Sequence, residues 1–156
     1  MPRRKYKKVQ RIPTDPLYND PIIGSTINRI LKRGKKSIAE SMMYEALDIV
    51  AKKTGKPPRD VYAAAVRNIS PAVQVKSRRV GGATYQVPIE ISADRQQAIA
   101  ISWLLDFARA RSGSSFANRL AEEIIDASEN RGGAIKKKLD THKMAEANKA
   151  FSHYRF

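Results

Sequence analysis

Hydrophobic and polar positions alternate with period two in one stretch of the chain and follow a helical period almost everywhere else. Over residues 71–91, PAVQVKSRRVGGATYQVPIEI, the residues Val73, Val75, Ser77 and Arg79 alternate with Gln74, Lys76, Arg78 and Val80. Beyond Gly81-Gly82, Tyr85, Val87, Ile89 and Ile91 alternate with Thr84, Gln86, Pro88 and Glu90. Such alternation on both sides of a Gly-Gly pair predicts a β-hairpin at about residues 72–91, with residues 73–80 antiparallel to residues 84–91. At the base, Val73, Val75, Ile89 and Ile91 read as one apolar face. Toward the tip that face gives way to Arg79 and Tyr85, with Lys76 and Arg78 on the other side. Pro88 cannot donate to a ladder, so its strand needs the free edge of a two-stranded ribbon. A lone ribbon is marginal in water, and this tip carries charge instead of apolar area.

The rest predicts six helical segments. Asp20-Pro21 is a capping acid followed by proline at the first helical position, and Ile23, Ile27, Ile30 and Leu31 make one stripe that ends at Gly34. Ser37 and Glu40 have capping-box spacing. The second helix places Ile38, Met42, Ala46 and Ile49 inward, with Met43, Leu47 and Val50 alongside, and stops at Gly55. Pro57-Pro58 opens a third, with Val61, Ala65 and Ile69 inward. A fourth, capped by Ser92, is apolar over most of its circumference (Ala98, Ile99, Ile101, Trp103, Leu104, Leu105, Phe107, Ala108) and is expected to be the central helix. The fifth turns Phe116, Leu120, Ile124 and Ala127 inward and Glu122, Glu123, Asp126 and Glu129 outward. After Gly132-Gly133 a sixth opens with Lys136, Lys137 and Lys138, where lysines oppose the helix dipole. The fold class is mainly α: a helical domain over residues 20–156 with one protruding hairpin, preceded by a basic extended arm over residues 1–19.

Charge changes this picture. The 156 residues hold 30 Lys and Arg against 15 Asp and Glu, a net charge of +15. That excess repels itself in a compact state and points to a polyanionic partner, nucleic acid before membrane. Residues 2–11 contain Arg3, Arg4, Lys5, Lys7, Lys8 and Arg11 with nothing to build a core, so they read as an arm that orders on phosphate; a solvated tail is the plain alternative. Arg29, Lys32, Arg33, Lys35 and Lys36 crowd the end of the first helix more densely than capping requires. The chain has no cysteine, no apolar run of membrane length and no hydrophobic leader, which is expected of an intracellular protein.

Candidate catalytic chemistry is scarce. His142 and His153 lack metal-ligand spacing to each other. His142 and Glu146 read as a surface pair on a helix, and Gly81-Gly82 as a turn. With no phosphate-binding loop, nucleophile elbow or dinucleotide fingerprint, neither an enzyme nor a cofactor or metal site is expected. Two binding classes remain: a protein that holds folded RNA by shape and phosphate, and an architectural DNA-binding protein with basic β-arms. Architectural arms carry an apolar wedge at the tip, whereas this tip is Arg-Arg-Val-Gly-Gly and Pro88 lies well down the strand. The residues favour RNA.

Three long blocks are specific: residues 20–46 with Gly34-Lys35-Lys36, SRRVGGATYQVPIEI at residues 77–91, and GGAIKKK with HKMAEANKAFSHYR at residues 132–155. In these the sequence closely resembles the family of small-subunit ribosomal protein seven, in its bacterial and organellar form. Family members often end in tryptophan where this chain has Phe156, and often carry an acid where it has Leu139. The resemblance implies a primary binder of small-subunit rRNA at a multi-helix junction of the 3′ major domain, which nucleates assembly of the subunit head. It places the hairpin tip (Arg79, Val80, Gly81, Gly82) near exit-site tRNA at the subunit interface. It also implies small-subunit proteins nine and eleven as neighbours, repression of its own mRNA in some members, and a ribosome-bound location in the cytoplasm or an organelle. Carried over by position, the rRNA contacts are the arm, Lys35 and Lys36, the hairpin cations Lys76, Arg78 and Arg79, and Lys136 to Lys138.

Overall fold

The computed structural model describes residues 14–154; the arm positions Arg3, Arg4, Lys5, Lys7, Lys8 and Arg11, and Phe156, lie outside them. In chain order come α1 (Pro21–Ile30), α2 (Lys36–Thr54), α3 (Pro58–Ile69), β1 (Val73–Val80), β2 (Ala83–Glu90), α4 (Ala93–Ala110), α5 (Phe116–Ser128), α6 (Gly133–Ala147) and a 3₁₀ helix at Lys149–Tyr154. Among the described residues the single sheet is the antiparallel pair β1-β2. The chain is therefore a helical body with one hairpin, as its patterning predicts.

Local chemistry sets the helix ends, not always where periodicity puts them. Asp20 caps α1 by accepting the Ile22 N–H at 2.7 Å, with Pro21 inside the first turn. The same carboxylate takes the Arg59 Nε at 2.8 Å. The helix ends at Ile30, four residues before Gly34: Leu31 has ψ 125°, and the chain then reverses through Arg33 at φ 54° and Gly34 at φ 75°. That reversal delivers the chain into helical geometry at Lys36, so the Ser37–Glu40 capping box does not form. Glu40 pairs instead with Lys36 at 3.5 Å, and the Ser37 carbonyl accepts the Ser41 hydroxyl. Ser92 occupies the N-cap position of α4, but its side chain makes no capping bond. Before α1 the chain is not extended as far as Asn19. It turns over residues 16–18, where buried Asp15 accepts the N–H groups of Leu17 and Tyr18 at 3.1 and 2.7 Å.

Packing chooses between competing apolar faces. α2 has two stripes, and the buried one is Ala39, Met43, Ala46, Leu47 and Val50. Ile38 is left 47% exposed and Met42 and Ile49 half-buried, so the inward face is rotated by about one residue from the expected stripe. Small residues explain the choice, because Ala39 and Ala46 let another helix approach closely. The centre of the body is α5, not α4: α5 packs against α2, α3, α4 and α6. Ala117, Ala121 and Ala127 around Leu120 and Ile124 give it thin walls on several sides. α4 buries Ala100, Ile101, Leu104, Leu105 and Ala108 and leaves Ile99, Trp103 and Phe107 half-covered at the margin, as is Phe116 on α5.

Of the acids expected on the outer face of α5, Glu129 is exposed and Glu122 and Asp126 are half-buried, but Glu123 is turned inward, against expectation. Glu123 is 2% exposed. Arg111, at the end of α4, donates to it at 2.7 Å and also to Asp126, with Glu122 at 3.5 Å. The other Glu123 oxygen accepts the Ala134 N–H at 3.0 Å in the first turn of α6. One carboxylate thus satisfies an orphan helix donor and complements the positive end of the α6 dipole.

In the hairpin, Val80 pairs with Ala83, Arg78 with Tyr85, Lys76 with Val87 and Val73 with Glu90. Gly81 and Gly82, at φ 57° and 90°, supply the two left-handed residues of a two-residue turn. This register gives the faces a different membership from the expected one. Arg78, Lys76 and Gln74 share a face with Tyr85, Val87 and Ile89, while Val73, Val75 and Arg79 share the other with Glu90, Pro88 and Thr84. Both faces are covered at the base, since the consecutive residues Val87 and Pro88 are each buried.

Candidate nucleic-acid interface

The densest exposed cluster of cations is the α1–α2 connection. Arg29, Lys32, Arg33, Lys35 and Lys36 line it, and all five are exposed. Among the described residues, Lys32, Arg33 and Lys35 take part in no ion pair, and Lys36 reaches only Glu40. The positive φ at Arg33 turns the segment back on itself and crowds like charges together, which a purely structural turn would avoid. Sequence reasoning missed two arginines that tertiary packing adds here. Arg109 of α4 donates to the Arg29 carbonyl at 3.4 Å. Arg119 of α5 donates to the carbonyls of Arg109 and Arg111 at 3.2 and 3.3 Å, closing the end of α4. No local signal marks either residue.

The hairpin cations separate into two kinds. Lys76 and Arg79 are exposed, as are Gly81 and Gly82 at the turn, with Val80 half-buried beside them. Arg78 is half-buried, and its guanidinium donates to the Tyr154 carbonyl. Its cross-strand neighbour Tyr85 stacks on Tyr154, with ring centroids 5.2 Å apart and planes 26° apart, and meets Phe151 at 5.3 Å. The 3₁₀ helix therefore grips the Arg78/Tyr85 face. The interleaved aromatics of FSHYRF were its signal in the sequence.

The lysine triplet also divides. α6 begins at Gly133, so Lys136 closes the first turn and Lys137 and Lys138 lie beyond it, away from the strongest part of the dipole. Lys136 and Lys137 are exposed. Lys138 is half-buried and donates to the Asn68 carbonyl at 2.6 Å. The Asn68 amide donates in turn to the carbonyls of Ala127 and Ser128 at 3.0 and 3.1 Å, so Lys138 helps tie α6 to the ends of α3 and α5. One turn on, His142 accepts the Ala72 N–H through Nε2 at 3.2 Å, at the foot of β1. Desolvation, then the nearby Lys138 charge, lowers its pKa. It is a neutral acceptor at the hairpin base rather than half of a surface pair with Glu146.

Charge is sorted between inside and outside. Among the described residues every buried charged side chain is a carboxylate: Asp15, Asp20 and Glu123. Asp15 also accepts the Tyr44 hydroxyl at 2.5 Å, and burial ahead of that bond pushes the Tyr44 pKa upward. With those acids consumed inside and the cations outside, the surface is more basic than composition alone implies. Among the described residues no group of three or more His, Asp or Glu could hold a metal ion, and no helix is long and apolar enough to cross a membrane.

The model of the family described as ribosomal protein S7p/S5e matches residues 2–149. Similar proteins include the small ribosomal subunit protein uS7 of Pelotomaculum thermopropionicum, 52% identical, and that of Acetivibrio thermocellus, 54% identical. The counterpart from Gloeothece citriformis is 53% identical, and each of the three alignments covers 100% of both chains. A cysteine-free helical body with its cations outside and a basic hairpin, matched along its whole length by these relatives, belongs to the ribosomal protein S7p/S5e family and is a structural, non-enzymatic constituent of the small ribosomal subunit.

Proposed function

We propose that this chain is a primary rRNA-binding protein of the 3′ major domain that nucleates assembly of the subunit head, with the hairpin tip facing exit-site tRNA at the subunit interface. The observation that carries this reading is the sorting of charge: buried acids, and an outward-facing cation cluster at the α1–α2 connection with a second at the hairpin. Phosphate contacts of this kind fix position and register without reading bases. Lys32, Arg33, Lys35 and Lys36 form the main anchor, with Arg29, Lys136 and Lys137 on the same body. The arm cations between residues 3 and 11 extend the grip. Arg79, exposed in β1 next to the turn, reaches away from the body toward tRNA, while Arg78 and Lys138 set the frame from which their neighbours reach. Small-subunit proteins nine and eleven are the neighbours this reading expects, its own mRNA a further RNA partner, and the cytoplasmic or organellar ribosome its location.

The test is to rebuild subunits carrying either K32Q/R33Q/K35Q/K36Q or K76Q/R79Q, and to measure assembly yield and exit-site tRNA release separately. The body set is expected to lower yield, and the hairpin set to speed tRNA release at near-normal yield. Equal effects of both sets on both readouts would make the hairpin one more rRNA anchor.

A further inference from the structure

Beside the α1–α2 cation cluster lies a groove of about 290 Å³ whose lining is apolar below and cationic at the rim. Ile38, Met42 and Phe116 form its floor, and Lys32, Lys35 and Arg109 stand around it, with no carboxylate in the lining. Ile38 and Met42 are one turn apart on the stripe of α2 that the core covers only in part. Ile38 is 47% exposed in a first turn that Lys35 and Lys36 open. An isoleucine left uncovered among cations serves neither the core nor solvation.

We propose that this groove holds a single unstacked RNA base, whose flanking phosphates sit on Lys32 and Lys35. The inference rests on the rRNA-binding reading above and adds a site that takes an extruded nucleotide. Charge complementarity argues for this occupant: a base offers an apolar face, and the phosphates on either side offer the anions the rim lacks. Folded RNA is recognised largely through such splayed-out bases at loops and bulges. The groove is also short. It has room for one planar ring, not for the row of anchors at helical spacing that an amphipathic partner helix would need.

The experiment measures binding of a 3′ major-domain transcript at several salt concentrations, with base-edge probing by dimethyl sulfate and carbodiimide. Wild type is compared with Ile38→Gln, Ile38→Leu, Lys35→Gln and the exposed apolar control Leu139→Gln on α6. Covering the exposed apolar surface of Ile38 with a base has the strength to make Ile38→Gln bind about fivefold or more weakly. Its salt dependence should be unchanged, and one unpaired base protected by wild type should become reactive again. Ile38→Leu should keep both affinity and protection. Lys35→Gln should flatten the salt slope by about 0.7–0.9, the share of a single phosphate, and Leu139→Gln should do neither. A wild-type protein that does not bind the transcript overturns the rRNA reading itself. Salt-dependent binding by wild type with Ile38→Gln equal to it in affinity and protection overturns the groove alone. The groove proposal also falls if Ile38→Gln binds RNA normally but fails to incorporate a neighbouring ribosomal protein, since the occupant is then a protein segment.

Discussion

Gly133 has no room for a methyl group: a Cβ there would crowd into the Phe107 ring, 2.4 Å from its edge. The first turn of α6 comes this close because Glu123 draws the Ala134 N–H inward from the facing helix. Gly133→Ala should therefore cost about 1–3 kcal/mol, the usual range for overpacking. Its urea midpoint should fall, and Phe107→Leu should restore part of the loss. The dipeptide Gly132-Gly133 was legible in the sequence as a helix break, but the close approach was not, because Phe107 is remote in the chain. His142 makes a second prediction. Its pKa is lowered in the folded state, so the unfolded chain binds the proton first as pH falls. The neutral acceptor's contribution is whole above the unfolded value of about 6.5 and is lost as pH drops below it toward the folded value. Stability of the wild type should decline between pH 7.5 and 5.5, and His142→Gln, an acceptor that does not titrate, should decline less. Equal pH slopes in urea titrations would contradict the role given to Nε2.

Elements were legible where one signal dominated and misread where two competed. The hairpin was plain from alternation about a glycine pair. Its faces were open to arithmetic as well, since a two-residue turn at Gly81-Gly82 must pair odd positions of β1 with even positions of β2. Grouping Val73 and Val75 with Ile89 and Ile91 by hydrophobicity overrode that count. In α2 two apolar stripes were available, and only packing against the other helices of the body, α5 above all, decides between them. Glu123 of α5 faces inward because Arg111, twelve residues before it, reaches it from the end of α4, a meeting no periodicity reports. The grip of the 3₁₀ helix on the hairpin yields a third prediction. Arg79→Ala should leave stability within about 0.5 kcal/mol of wild type, as exposed substitutions usually do. Arg78→Ala and Phe151→Ala should each speed amide exchange along β1 and β2, because they release the clamp at Tyr154 and Tyr85. Unchanged exchange in both would mean that the hairpin is held by its base alone.

For the whole molecule, composition announced a polyanionic partner, and the fold decides where that partner is met. A net charge of +15 spread evenly would give a weak, unspecific field. Burying Asp15, Asp20 and Glu123 while gathering Lys32, Arg33, Lys35 and Lys36 at one reversal turns it into a directed surface. The cations of the α1–α2 connection were visible in the sequence as a local run. Arg109 and Arg119 were not, because only the packing of α4 and α5 against α1 and α2 brings them there. The most direct measurement is the salt dependence of binding to the 3′ major-domain transcript, for wild type and for K32Q/R33Q/K35Q/K36Q. If these four side chains neutralise phosphates, the slope of log affinity against log salt should flatten by about 0.7–0.9 for each phosphate no longer neutralised, roughly three in all. An unchanged slope in a variant with an unchanged melting temperature would contradict the account, because the cluster would then be a solvated turn and the partner would be held elsewhere.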